Sequence, residues 1–278
     1  MNVARGEPLV WGRRTYVMGI INLSPDSFSG DGLGTDIPAI VEQALRFQDE
    51  GADFLDVGAE STRPGSSPVT PEEEIRLLAP ALEAVAEVAR VPVSVDTYKA
   101  PVARFAVEAG ASIVNDVWGL KTDPALAEVV AAAGASIALM HNQEGRRYND
   151  LVLDVADSLR ASVQLAVQAG IVPENIILDP GIGFGKTPDH NLEVLGRLSE
   201  LKELGFPLLI GTSRKSTIGF VLDLPVDQRV EGTAATVALS IAGGADIVRV
   251  HDVREMVRVC RMTDSIVRGW RPEGWGQG

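Results

Sequence analysis

Four basic residues, Arg63, Arg214, Lys215 and Arg249, follow hydrophobic runs in a chain whose formal charge is −13, from 38 acidic against 25 basic residues. So placed against an acidic global field, they could bind an anionic substrate. The pattern extends beyond them, because eight apolar runs each end on residues that can do chemistry. Tyr16 to Ile21 stops at Asn22, and Phe54 to Val57 leads to Glu60, Ser61, Thr62 and Arg63. Val93 to Val95 stops at Asp96, Ile113 and Val114 at Asn115 and Asp116, and Ile137 to Met140 at His141. Ile176 to Leu178 stops at Asp179, Leu208 to Ile210 precedes Ser213, Arg214 and Lys215, and Ile247 and Val248 lead to Arg249, His251 and Asp252. No Ser-His-Asp or Cys-His set stands out, so a covalent nucleophile is not expected.

The elements that must hold these tips alternate. Helical patterns lie between the runs: Pro38 to Glu50, Glu72 to Arg90, Pro101 to Ala109, Pro124 to Ala133, Asp150 to Ala169, Asn191 to Leu204, Gln228 to Ala242 and Val253 to Arg268. Pro38, Pro71, Pro101 and Pro124 sit near helix starts, where a missing N–H costs little. Thr70 and Glu73 have capping-box spacing before the second helix. Strand–helix alternation implies a parallel sheet covered by helices. Eight units favour a closed single (β/α)8 TIM barrel, which gathers its strand ends around one mouth. A doubly wound dinucleotide fold is disfavoured, since no G-x-G-x-x-G opens a helix after an early strand. Gly181 to Lys186 is glycine-rich but lacks the spacing of a nucleotide loop. Two long βα loops, Ser24 to Ile37 and Ala59 to Thr70, are expected to cover the mouth.

Bulk properties limit the alternatives. At 278 residues and 45% apolar, the chain suits one domain over 1–278, with a core of about 15–268 and a peripheral tail. No apolar stretch approaches the ~20 residues that span a bilayer. The first eleven residues, with Arg5 and Glu7, are not expected to form a secretory signal. Cys260 is the single cysteine, which excludes an internal disulfide and a cysteine metal cluster. The acidic balance disfavours nucleic acid or an anionic membrane as the main partner. A cytoplasmic enzyme is the expectation.

Five motifs in order resemble the dihydropteroate synthase family. They are Met18-Gly-Ile-Ile-Asn22-Leu-Ser-Pro-Asp26-Ser-Phe-Ser29, Glu60-Ser-Thr-Arg-Pro-Gly65, Asp179-Pro-Gly-Ile-Gly-Phe-Gly-Lys186, Ser213-Arg-Lys-Ser216 and Arg249-Val-His-Asp252. The resemblance runs from about Tyr16 to the last helix. It implies condensation of 6-hydroxymethyl-7,8-dihydropterin diphosphate with 4-aminobenzoate, giving 7,8-dihydropteroate and diphosphate in folate synthesis. A pterin edge alternates donors and acceptors, which Asp96, Asn115, Asp179 and Lys215 can complement, with Arg249 beside them. The resemblance places 4-aminobenzoate near Thr62, Arg63, Pro64, Phe184, Lys215 and Ser216. It places the diphosphate at Asn22, Arg249 and His251, with Asn22 an oxygen ligand for Mg²⁺.

The resemblance also implies a homodimer through the late helices and sensitivity to sulfonamides, which mimic 4-aminobenzoate. Asp96, Lys215, Arg249, His251 and Asp31 are the expected catalytic groups. Asp31 stands one place away from the family's usual first-loop acid, because this chain reads Ser27-Phe28-Ser29-Gly30-Asp31-Gly32. The segment Met140-His141-Asn142-Gln143-Glu144-Gly145 departs from the family's Met-His-Met followed by Gly, so His141 is left between support and substrate contact. The rival readings are a methyltetrahydrofolate-dependent corrinoid methyltransferase and a non-catalytic pterin-binding paralogue. The methyltransferase would not need the Glu60 to Gly65 or Ser213 to Ser216 segments, and the departures at Gly30-Asp31 and Asn142-Gln143-Glu144 are what favour the paralogue.

Overall fold

Each apolar run forms a strand, and every strand is parallel to its neighbours. The computed structural model describes residues 9–24, 32–60 and 69–276. The strands are β1 (Tyr16–Asn22), β2 (Phe54–Gly58), β3 (Val93–Asp96), β4 (Ile113–Asp116), β5 (Ser136–Met140), β6 (Ile176–Asp179), β7 (Leu209–Ile210) and β8 (Ile247–Val250). They run in the order β6-β5-β4-β3-β2-β1-β8-β7. A bridge from Leu178 to Leu208, with Leu178 N–H donating to Pro207 O at 2.9 Å, joins β6 to β7 and closes the ring. The fold is the expected (β/α)8 barrel.

The helices are α1 (Ile37–Glu50), α2 (Pro71–Val88), α3 (Ala100–Glu108), α4 (Ala125–Ala133), α5 (Leu151–Gln168), α6 (Pro188–Gly196), α7 (Leu198–Lys202), α8 (Ser216–Leu222), α9 (Val230–Ala242) and α10 (Val253–Val267). The capping box at α2 is present, Thr70 Oγ1 accepting from Glu73 N–H at 3.2 Å and Glu73 Oε2 accepting from Thr70 N–H at 3.0 Å. One expectation needs correction. The pattern from Asn191 to Leu204 is two helices, because Gly196 weakens the helix and Arg197 leaves helical geometry at φ −112, ψ 21. The first piece also starts earlier, where Thr187 caps His190 N–H and Pro188 opens the turn.

The barrel interior explains where polar side chains collect. Its floor is an apolar cluster of Tyr16, Met18, Phe54, Ile113, Ala138, Ile177, Leu209 and Ile247. Successive strand side chains alternate between faces. Two residues further on, the inward face therefore carries Asp56, Asn115, Met140, Asp179, Gly211 and Arg249. The intervening positions, such as Leu55, Val57, Val114, Leu139, Leu178, Val248 and Val250, join the larger cluster under the helices. The interior thus passes from apolar floor to polar mouth within one strand period.

Candidate active site

The mouth encloses a cavity of about 430 Å³. Of the residues expected from sequence, Asn22, Asp96, Asn115, Asp179, Phe184, Lys215, Ser216, Arg249 and His251 all line it. Asp31, Thr62, Arg63 and Pro64 lie outside the described residues, as do most of the two long loops. Ile20, Val117 and Met140 add apolar walls, which suits a flat ring bounded by a few polar groups.

Asp179 ends β6 and is 6% exposed; its Oδ1 accepts Gly181 N–H at 2.7 Å. Burial holds its carboxyl above the usual carboxylate range, against the pull of Lys215. Asp96 ends β3, and burial pushes it up to about 7 even though Arg249 Nη2 donates to its Oδ2 at 2.8 Å. Lys215 is pulled down to about 8 by burial, opposed by Asp179. Its Nζ donates to Ile182 O and sits 4.7 Å from the centre of the Phe184 ring. These groups are held in a low-dielectric setting, where burial disfavours charge and a ligand's hydrogen bonds restore it.

Arg249 is more constrained than its place in the sequence suggests. Its Nε donates to Asp56 Oδ2 at 2.6 Å while Nη2 reaches Asp96, so two carboxylates fix the plane of the guanidinium. Asp56 is fully buried, and its Oδ1, like Asp96 Oδ1, has no hydrogen-bond partner among the described residues. Asn115 Nδ2 also approaches Asp56 Oδ2, at 3.5 Å. Sequence reasoning missed Asp56 because it sits inside an apolar run rather than at its end. In the structure Phe54, Asp56 and Gly58 share the face that points inward, a phase that the fully buried strand does not reveal in sequence.

His251 follows β8. Ser213 Oγ accepts the His251 backbone N–H at 3.1 Å and lies 2.8 Å from Nδ1. A neutral ring then receives the Ser213 proton at Nδ1, which puts its own proton on Nε2 as a donor. Arg214, expected among the anion-binding cations, instead forms a two-pronged pair with Asp252, Nε to Oδ2 at 3.0 Å and Nη2 to Oδ1 at 2.5 Å. His141 is 2% exposed and lies 2.8 Å from Lys186 Nζ, so its place is behind the cavity wall, in support. Burial pulls its ring down to about 3, with Lys186 adding to the shift. Lys186, which closes the third motif and was given no site role from sequence, lines the cavity as well. Among the described residues no group of three or more His, Cys, Asp or Glu side chains could hold a metal.

The profile of the family described as pterin binding enzyme matches residues 18–251. The chain belongs to that family. The dihydropteroate synthase of Clostridium beijerinckii is 51% identical over 258 residues, spanning 92% of this chain and 96% of that protein. Among solved structures, the dihydropteroate synthase of Clostridium difficile, determined in the presence of pteroic acid, superposes with a TM-score of 0.89 at 47% identity, covering 94% of this chain and 100% of the other. That of Xanthomonas albilineans with 4-aminobenzoic acid gives 0.86 at 40% identity, covering 94% and 95%. The family's pterin reading fits the donors and acceptors that this mouth presents.

Proposed function

We propose that this chain is a dihydropteroate synthase, a transferase that joins 6-hydroxymethyl-7,8-dihydropterin diphosphate to 4-aminobenzoate in folate biosynthesis. The observation that carries the reading is one cavity lined by Asp96, Asn115, Asp179 and Lys215 together with Asn22, Arg249 and His251. Asp96, Asn115, Asp179 and Lys215 read the pterin edge, with Arg249 packed beside the ring. The buried acceptors of Asp96 and Asp179 meet ring donors, and a ring with the wrong edge would leave them unpaired. 4-Aminobenzoate lies against Phe184 and Lys215, its carboxylate toward Ser216 at the start of α8, where backbone N–H groups favour an anion. Thr62, Arg63 and Pro64, outside the described residues, are assigned to the same substrate by the family resemblance.

The reaction proceeds by dissociative substitution. The C–O bond to diphosphate breaks first, and its electron pair leaves with the phosphate oxygen. The methylene cation delocalises into the electron-rich pterin, stabilised by Asp96 and by Asp31 of the first loop. Arg249 and His251 stabilise the departing charge from fixed positions. The aniline nitrogen then attacks the methylene carbon and loses its proton to solvent. The donor set fits Mg²⁺, because one amide oxygen from Asn22, which lines the cavity, would suffice for that ion together with phosphate oxygens and waters. When bound, Mg²⁺ supplies positive charge at the leaving group.

We read the protein as a single domain working in the cytoplasm; among the described residues no helix is long and apolar enough to cross a membrane. It is a homodimer through its late helices. Leu239 on α9 and Met262 and Ile266 on α10 are more than half exposed, and α9 packs on α10. The test is incubation of purified protein with Mg²⁺ and both substrates, followed by detection of the pterin–aryl amine product and diphosphate. Stoichiometric release of both supports the assignment; methyl transfer to a corrinoid, or binding without turnover, overturns it.

A further inference from the structure

The turn between β6 and α6 carries Phe184 into the cavity, and Lys186 of the turn joins His141, Tyr148 and Lys215 from elsewhere in the chain in holding it. Lys186 Nζ is 2.8 Å from His141 Nδ1, 3.1 Å from Gly181 O and 3.2 Å from Phe184 O. An ammonium has three N–H donors, and here it has three acceptors. Lys186 is 4% exposed, so water does not substitute for any of them. Tyr148 Oη adds a fourth tether, donating to Gly185 O at 2.8 Å. From the cavity side, Lys215 Nζ donates to Ile182 O. Four carbonyls of the turn are therefore held by side chains, Gly181 O and Phe184 O by Lys186 of the turn itself, Ile182 O and Gly185 O by the distant Lys215 and Tyr148.

The turn needs such restraint. Gly181, Gly183 and Gly185 all have left-handed φ, at 71, 87 and 56 degrees. A run of this kind has the largest backbone entropy to lose on ordering. Selection of one conformation falls to one backbone bond, Phe184 N–H to Gly181 O at 3.1 Å, and to the side-chain tethers. The tethers of Lys186, Tyr148 and Lys215 converge on the backbone flanking Phe184, while Asp179, at the end of β6, is tied only to the start of the turn, through Gly181 N–H.

We propose that Lys186 is a positioning residue for 4-aminobenzoate, acting with His141 and Tyr148 to fix the turn that presents Phe184 to the second substrate. The proposal rests on the assignment of the Phe184 slot to 4-aminobenzoate. Neutral His141 is part of the device, because Nδ1 must accept from the ammonium rather than donate. Burial pulls His141 down to about 3 and Lys186 down to about 7, so the ring stays uncharged beside the lysine. Below about pH 7 all three N–H groups of the Lys186 ammonium are taken by backbone carbonyls and His141, and the diphosphate is left to Arg249 and His251.

The experiment measures steady-state kinetics for 4-aminobenzoate and equilibrium binding of a pterin in Lys186→Met, Tyr148→Phe and Phe184→Ala. Lys186→Met is expected to raise KM for 4-aminobenzoate by about tenfold or more while pterin affinity stays within about threefold. Tyr148→Phe, which removes one hydroxyl and preserves the ring, should raise the same KM by about two- to fivefold. Should Lys186→Met fail to fold, Tyr148→Phe decides alone. Phe184→Ala separates this inference from the slot itself. An unchanged KM in Phe184→Ala overturns the slot assignment and the inference with it. A raised KM in Phe184→Ala with no change in Lys186→Met, or in Tyr148→Phe where the former does not fold, overturns the inference alone. Equal losses of pterin and 4-aminobenzoate affinity in Lys186→Met or Tyr148→Phe reduce the tethers to general structural support and also overturn it.

Discussion

Replacing Asp179 by Asn separates ligand recognition from folding, since it exchanges one oxygen for an amide of the same shape. In the parent, Oδ1 accepts Gly181 N–H at 2.7 Å, which leaves Oδ2 to accept from a ligand. Asn can retain the Gly181 bond through its own Oδ1, so stability should change by no more than about 1–2 kcal/mol. The second atom becomes an NH₂ group, however, and faces a ring donor where an acceptor stood. A hydrogen bond to a charged acceptor contributes about 1.5–3 kcal/mol, and a buried unpaired donor costs about 1–3 kcal/mol more. Together these predict a loss of about 2.5–6 kcal/mol in pterin binding, on the order of 10² to 10⁴ in affinity. Isothermal titration with a pterin reads the affinity, and a thermal melt confirms that the barrel is intact. Pterin affinity within about threefold of the parent, with an unchanged melt, would remove Asp179 from the ring edge.

Pterin affinity should depend on pH. Asp96 must be ionised to accept from the ring and stands at about 7, so affinity should fall about tenfold per unit as pH drops below that value. It should fall again above about 8 as Lys215 loses its proton. Titrations with a pterin that stays neutral over the range would show a maximum between these values, and a flat profile would exclude both groups. Lys99 Nζ bonds Glu60 Oε2 at 2.5 Å, Glu74 Oε2 at 2.6 Å and Val69 O at 2.7 Å. Lys99→Met leaves fully buried Glu74 uncompensated and should cost about 3–5 kcal/mol in urea unfolding. Glu74→Gln in that background should recover part of it. Asp56→Asn loosens the plane of Arg249 and is expected to lower kcat more than it raises KM for either substrate, read by steady-state kinetics.

The barrel was legible because its strands are short apolar runs punctuated by chemistry-bearing tips, a pattern that only strand-end convergence makes useful. The site residues found that way were those at the tips, such as Asn22, Asp96, Asn115, Asp179 and Arg249. Asp56 escaped for a physical reason. Strands of a barrel are buried on both faces, so Phe54 to Gly58 shows no polar alternation to set its phase. The contact between Lys186 and His141 was hidden for another reason, since the two lie 45 residues apart and meet only through the closed ring. The break at Arg197 was written in Gly196, but a helical period continuing into Leu198 and Leu201 masked it.

A crystal structure with 7,8-dihydropteroate and Mg²⁺ tests the account most directly. It should place the ring edge against Asp96, Asn115 and Asp179, Lys215 beside it, and the aryl group along Phe184. A ring bound away from those carboxylates, or an aryl group leaving the mouth on a side remote from Phe184, would contradict it.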